Sequence, residues 1–303
     1  MPTDRFVEAR DGVPLAVRDH GGEGPPLLLM HGAGIHLLSL ERLAARLRPF
    51  RVVTMDQRWS GQSGDSPSYS WDDLVSDVEV VIDDLGLDNP AVGGHSWGGM
   101  ISAFYGAAHP EAPAVINLDG HGPGDPSLYD GLPPEEVGAK RAELEAAMED
   151  TEPKEGDDAW KALARERLRA QNLALGVPED EVDEFTDRSF LSERPGHWRQ
   201  RPGPALMEGL RGDQRMFDVY RSVECPLLVV LAPALPPVVP EFAVPLMEAY
   251  RRGLAKAFAD LARERPTVRV VTLDGVDHQS IAGRHAVVVA AAMTAFLSDV
   301  GYG

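Results

Sequence analysis

The sequence predicts an α/β fold: a mostly parallel, eight-stranded sheet covered by helices. Three observations point there. Short apolar runs alternate with longer stretches of helical spacing in both halves of the chain. The runs are continuous, as in strands buried on both faces. A charged, helix-patterned segment interrupts the alternation once, near the middle. A chain of 303 residues is long enough to bury a large core that carries one insertion.

Six runs read as buried strands: PLLLM (26–30), RVVTM (51–55), PAVGG (90–94), AVINL (114–118), PLLVVL (226–231) and VRVVTL (268–273). FVEAR and PLAVRDH near the start add an antiparallel pair, turning at Asp11-Gly12. Helical spacing covers 38–48, 71–85, 97–109, 243–264 and 282–298. The helix at 71–85 has Ser70 as its N-cap, acids in its first turn, and Gly86 at its end. Strand–helix alternation of this kind implies a mostly parallel sheet covered by helices on both faces.

The alternation breaks between about Pro123 and Ser222. EEVGAKRAELEAAMED, DDAWKALARERLRAQNLAL and EDEVDEFTDRSFL read as helices, and no strand is expected among them. The domain reading is therefore a core of 1–122 and 223–303, with 123–222 inserted as an all-helical lid. Between 123 and 160 twelve acidic residues face three basic ones, the pattern of a solvated outer face.

Overall, 29 Lys and Arg stand against 48 Asp and Glu, a net charge of −19. Such a surface repels phosphate backbones and anionic lipid, so neither nucleic acid nor membrane is an expected partner. The one cysteine, Cys225, excludes an intrachain disulfide, and its apolar setting suits an inert core thiol. No apolar signal region opens the chain, and the apolar runs are too short or too proline-broken to span a bilayer. A cytoplasmic location is expected. Oligomeric state leaves no mark in the sequence.

The chemistry is concentrated in GGHSWGGM (93–100). Gly94-His95-Ser96-Trp97-Gly98 fits G-x-S-x-G between a strand and a helix, the setting in which a serine sits exposed on a tight turn. The helix N-terminus adds a favourable dipole for an oxyanion. Upstream, PLLLM runs into His31-Gly32-Ala33-Gly34, a flexible turn able to place a backbone N–H beside that serine. The N–H groups of Ala33 and Trp97 together would form an oxyanion hole. No phosphate-binding loop, H-E-x-x-H or paired-cysteine metal site occurs, so neither metal nor cofactor is expected.

With these landmarks in order, followed by the lid and GVDHQSI, the chain resembles the α/β-hydrolase family over nearly its full length. The resemblance implies that family's fold, with the lid as its cap. It is looser at 56–63, where relatives usually read D-x-R-G-x-G-x-S. Asp56, Arg58, Gly61 and Ser63 match, but Trp59 stands where glycine is usual, either lining the pocket or packing under the lid. The family's place for the catalytic histidine, between the last strand and last helix, falls on His278. Relatives most often carry the acid after the strand that follows the lid. Here PLLVVLAPALPPVVPEF offers no carboxylate before Glu241, on a stiff proline-rich loop. Some members carry it one strand earlier, which falls on Asp119. Asp119 is the first candidate and Glu241 the second.

The reading is a serine hydrolase with Ser96 as nucleophile, His278 as base and Asp119 as acid. The substrate would be a small hydrophobic carboxylic ester or lactone, with amide and thioester close behind. Candidate substrate contacts are His31, Gly32, Trp59, His121, Trp160 and Trp198. The aromatic and Met residues of the lid (Phe185, Phe190, Met207, Met216, Phe217 and Tyr220 among them) either roof a pocket or pack on the core. Serine at the elbow argues against the dehalogenase and epoxide-hydrolase branches, which need aspartate there. C–C bond hydrolysis and hydroxynitrile cleavage remain alternatives on this fold; a slow-turnover small-molecule receptor is the alternative outside catalysis.

Overall fold

The computed structural model describes residues 2–66, 70–122, 125–147, 154–202, 216–235 and 239–303. Its strands are β1 (Thr3–Glu8), β2 (Pro14–Asp19), β3 (Pro26–Met30), β4 (Arg51–Met55), β5 (Ala91–His95), β6 (Val115–Leu118), β7 (Glu155–Gly156), β8 (Phe190–Arg194), β9 (His197–Gln200), β10 (Leu227–Leu231) and β11 (Val268–Thr272). The described helices are α1 (Glu41–Ala44), α2 (Trp71–Leu85), α3 (Trp97–Ala108), α4 (Pro134–Ala147), α5 (Asp158–Ala174), α6 (Val182–Asp187), α7 (Met216–Ser222), α8 (Val244–Glu264) and α9 (Ala286–Asp299).

Eight strands form one sheet in the order β1-β2-β4-β3-β5-β6-β10-β11. β1 and β2 form the expected hairpin, with Glu8 opposite Pro14 and Gly12 at φ +82° in the turn. β2 is antiparallel to β4, and every later neighbour is parallel. The continuous apolar runs follow from this layering. In β3, Leu28 and Met30 join the layer under α2, α3, α7 and α8, while Leu27 and Leu29 join the layer under α1 and α9. With side chains alternating between two buried faces, apolar residues are favoured at every position, and the buried Thr54 of β4 and Asn117 of β6 are exceptions held by hydrogen bonds.

Ser70 caps α2 by accepting the N–H of Asp73, and Gly86 closes it at φ +56°. The helix expected at 38–48 is shorter: a 3-10 turn over Leu37–Leu40 leads into α1, and Arg46 and Leu47 bond back three residues rather than four. The first turn of the helix expected from 282 is non-helical, and α9 begins at Ala286.

The segment between β6 and β10 contains the three expected helical patterns, but it is not all-helical. β7, β9 and β8 form a small antiparallel sheet. FLSER and HWRQ lack an apolar run, so the hydrophobic pattern is silent there. The signal lay in the turn: Pro195-Gly196, with Gly196 at φ +74°, is the punctuation that joins two short strands. Met207 lies outside the described residues.

Candidate active site

β5, β6, β10 and β11 are consecutive in the sheet and parallel, so the loops leaving their C-terminal ends share one rim. Open α/β sheets place their sites on that rim. Ser96 follows β5, Asp119 follows β6, and His278 follows β11.

The elbow carrying Ser96 is tight enough to dictate its neighbours. Ser96 has φ +54° and ψ −117°, a conformation that costs a side-chain-bearing residue about 1–3 kcal/mol. The surrounding contacts hold it there. Its N–H donates to Leu118 O at 3.0 Å, and the Gly98 N–H donates to His31 O at 3.0 Å. A Cβ on Gly94 would lie 2.3 Å from the Gly98 carbonyl carbon, and one on Gly98 would lie 2.4 Å from Met30 O. The glycines of the motif are thus the condition for α3 to start directly above β3 and β5. The first-turn N–H groups of α3, Trp97 among them, lie at the positive end of the helix dipole.

Ser96 Oγ donates to His278 Nε2 at 3.0 Å, and His278 Nδ1–H donates to Asp119 Oδ2 at 2.8 Å. One tautomer satisfies both contacts. Asp119 Oδ1 accepts the Ala232 N–H at 2.9 Å. Burial works to raise the Asp119 carboxyl, but the His121 and His278 imidazoles beside it outweigh that and hold it well below the usual carboxylate range. Asp119 is therefore ionised at neutral pH. It sits at φ +56°, with the next residue gripped on several sides. Asn117 Oδ1 accepts the Gly120 N–H at 2.6 Å, Asn117 Nδ2 donates to Gly120 O at 2.8 Å, and Tyr220 OH also donates to Gly120 O. A Cβ on Gly120 would lie 2.0 Å from Ser96 O, so the acid turn and the elbow are in direct contact.

Of the two candidate acids, Asp119 is the one at His278; Glu241 is exposed, in a 3-10 turn over Glu241–Ala243. Ala33 lies on the turn after β3, beside the elbow: a Cβ on the adjacent Gly32 would be 3.1 Å from Ser96 Cβ.

The candidate substrate contacts fare differently. His31 is fully buried, donating through Nδ1 to Gly32 O and accepting the Gln57 N–H at Nε2, so its ring braces the turn. Trp59 is buried in the core with its indole N–H donating to Ser66 O, and at φ +64° it occupies a conformation that glycine adopts freely. That explains the glycine usual at this position and assigns Trp59 to packing. His121 is buried behind the acid against Phe258 and Tyr220, with Nε2 3.6 Å from Asp119 Oδ1. Trp160 packs edge-on against Phe190, and Trp198 donates to Asp158 and lies under Lys161. Phe190, Met216, Phe217 and Tyr220 are buried, the last three in the layer shared with α8.

Several contributors carried no sequence signal. His95 Nε2–H donates to His278 O at 2.8 Å, tying the elbow to the loop of His278. Burial, reinforced by the nearby His278, pushes the His95 imidazole down to about 3, so it stays neutral. Asn117 and Tyr220 hold Gly120, and the Ala232 N–H holds the Asp119 carboxylate, through backbone contacts that a sequence pattern does not encode. Among the described residues no cluster of three or more His, Cys, Asp or Glu side chains is arranged to hold a metal ion. No described helix is long and apolar enough to cross a membrane.

The sequence profile of the alpha/beta hydrolase family matches residues 27–292. The chain belongs to this family. A 2-(acetamidomethylene)succinate hydrolase of Mesorhizobium japonicum is 26% identical over 291 residues, covering 92% of this chain and 91% of that protein. Mouse epoxide hydrolase 4 is 36% identical over a shorter stretch of 97 residues, 30% of this chain and 27% of that protein. The crystal structure of an E-2-(acetamidomethylene)succinate hydrolase superimposes with a TM-score of 0.67 at 24% identity, covering 98% of this chain and 100% of the other. Such a distant match speaks for the fold, and the chemistry has to be read from the site.

Proposed function

We propose that this α/β hydrolase is a serine hydrolase acting on a small hydrophobic carboxylic ester or lactone, with amide and thioester as neighbouring substrates. One observation carries the reading: the hydrogen-bonded series Ser96 Oγ, His278, Asp119, at 3.0 and 2.8 Å. His278 Nε2 takes the Ser96 proton as Oγ attacks the carbonyl carbon. The tetrahedral oxyanion is held by the N–H groups of Ala33 and Trp97. Asp119 keeps Nδ1 protonated and stabilises the imidazolium that forms. His278 then protonates the leaving group. Water, deprotonated by the same nitrogen, releases the acyl group from Ser96.

The nearly full-length relative whose name marks it a hydrolase of an acetamido compound supports acyl transfer to water and keeps amides within range. The local likeness to epoxide hydrolase 4 does not carry that activity over, since Ser96 replaces the aspartate that branch of the family needs. We also assign residues 123–222 to a lid over the rim. Contacts that bind this segment to the loop after β4 support it: Arg188 donates to Asp56 Oδ2 at 2.9 Å, and Gln62 Nε2 to Arg188 O at 3.1 Å.

The test is turnover of a chromogenic short-chain ester by the wild-type protein and by Ser96→Ala. The proposal expects turnover that falls about 10⁶-fold in the variant. Equal rates in the two proteins would refute it, and tight binding of a small molecule without turnover would replace it with the receptor reading.

A further inference from the structure

We infer that Arg251 is a positioning residue that fixes the acid and the base relative to one another; this rests on the triad reading of Ser96, His278 and Asp119. The acid follows β6 and the base follows β11, with β10 between them in the sheet. The short segment leaving β10, Ala232-Pro233-Ala234, touches both. The Ala232 N–H donates to Asp119 Oδ1 at 2.9 Å. The Ala234 N–H donates to Val276 O at 3.0 Å, and Ala234 bridges to Asp277, the residue before His278.

This segment is where the family most often keeps its acid, and here it carries no polar side chain at all. It contributes only backbone, and that backbone has to be held from outside. Arg251 does so with one nitrogen: Nη1 donates to Ala232 O and, at 2.7 Å, to Ala234 O. A charged donor shared by two carbonyls is a strong, directional restraint. Arg251 projects from the first half of the 21-residue helix α8, which packs into the core through Leu246, Ala249 and Leu254, so the guanidinium is anchored on a rigid element. Arg251 also shares the wall of a small cavity with Asp119, Pro233 and Thr272. Loss of the restraint frees Ala232 and Ala234 to shift, and with them the Asp119 and His278 loops. Positional errors of about 1 Å in such groups are worth about 10²-fold in rate.

The experiment measures kcat and KM on the chromogenic ester, together with the downfield proton NMR resonance of His278 Nδ1–H. It compares wild type, Arg251→Met, Arg251→Lys, the exposed neighbour Arg252→Met and Ser96→Ala. Expected for Arg251→Met are a fall in kcat of about 10²-fold, an unchanged KM and a lost or broadened Nδ1–H resonance. Arg251→Lys, which keeps a charged donor within reach of a carbonyl, recovers part of both, and Arg252→Met matches wild type. If Arg251→Met does not fold, Arg251→Lys decides: a reduced kcat with a shifted resonance supports the inference, and a wild-type kcat overturns it. Wild-type kcat and resonance in Arg251→Met, or a change confined to KM, also overturn it. These outcomes count against Arg251 alone when Ser96→Ala is inactive; a wild-type rate in Ser96→Ala removes the triad reading itself.

Discussion

At φ +56°, Asp119 pays for its place at His278 with backbone strain, and the hydrogen bonds from Asn117 and Tyr220 to Gly120 hold the turn against it. Asp119→Asn should lower kcat by about 10⁴-fold with little change in KM, while Glu241→Gln should leave kcat unchanged; steady-state kinetics on one ester separate them. Trp59 shows the same tension in a residue without chemistry. Trp59→Gly would relieve about 1–3 kcal/mol of positive-φ strain but would remove a buried indole worth about 3–5 kcal/mol. The net expectation is a loss of about 2 kcal/mol, measurable by urea unfolding. Ser96 was legible because a tight elbow leaves local marks, and His278 through the place that the family resemblance implies for its histidine. The choice between Asp119 and Glu241 was only half legible. Which carboxylate lies at His278 depends on which strand end faces it, a relation between residues 159 apart in the chain.

Among the elements, the β5–elbow–α3 unit is the most constrained, because it fits against β3 only through glycine. Gly98→Ala would press a methyl against Met30 O, a backbone atom that cannot rotate away. A loss of about 3 kcal/mol is expected, seen as a lower thermal midpoint and slower turnover together. The buried strands were readable because unbroken apolar runs have one physical use in a sheet covered on both sides. β8 and β9 were not, because strands with half-exposed polar side chains carry no such run and are marked only by their turn. Helix α1 ended early for a related reason: apolar spacing through Leu47 records burial, and burial is equally served by the 3-10 turns that follow.

Across the whole molecule, ion pairs bind the 123–222 segment to the sheet rim. Asp56 is fully buried and accepts N–H groups of Leu37 and Gln62 as well as the guanidinium of Arg188. Arg188→Met would leave that carboxylate without its cation and should cost about 3 kcal/mol or more, measured by urea unfolding. Acid should loosen the same region. His36 Nε2–H donates to Phe185 O across the interface, and burial lowers its imidazole from 6.5 to about 4. Between those values the unfolded chain binds the proton and the folded one does not, so stability falls as pH drops through that window. Asp119, depressed in the folded state, contributes stability above about pH 4 that is lost on further acidification. His36→Gln keeps a donor for Phe185 O and should flatten the slope of thermal midpoint against pH between 6.5 and 4. The mostly parallel sheet was implied by the alternation of elements; its strand order was not. The cross-links of the segment were not legible either: Asp56 was marked only as a motif match, and Arg188 and His36 read as ordinary polar residues until the chain brings them together.

The central claim, that Ser96 is an activated nucleophile served by His278 and Asp119, is tested most directly by fluorophosphonate labelling followed by intact-mass and peptide mapping. The account predicts a single adduct on the peptide carrying Ser96, none in Ser96→Ala, and markedly slower labelling in Asp119→Asn. A folded wild-type protein that takes no adduct, or takes it at another residue, would contradict it.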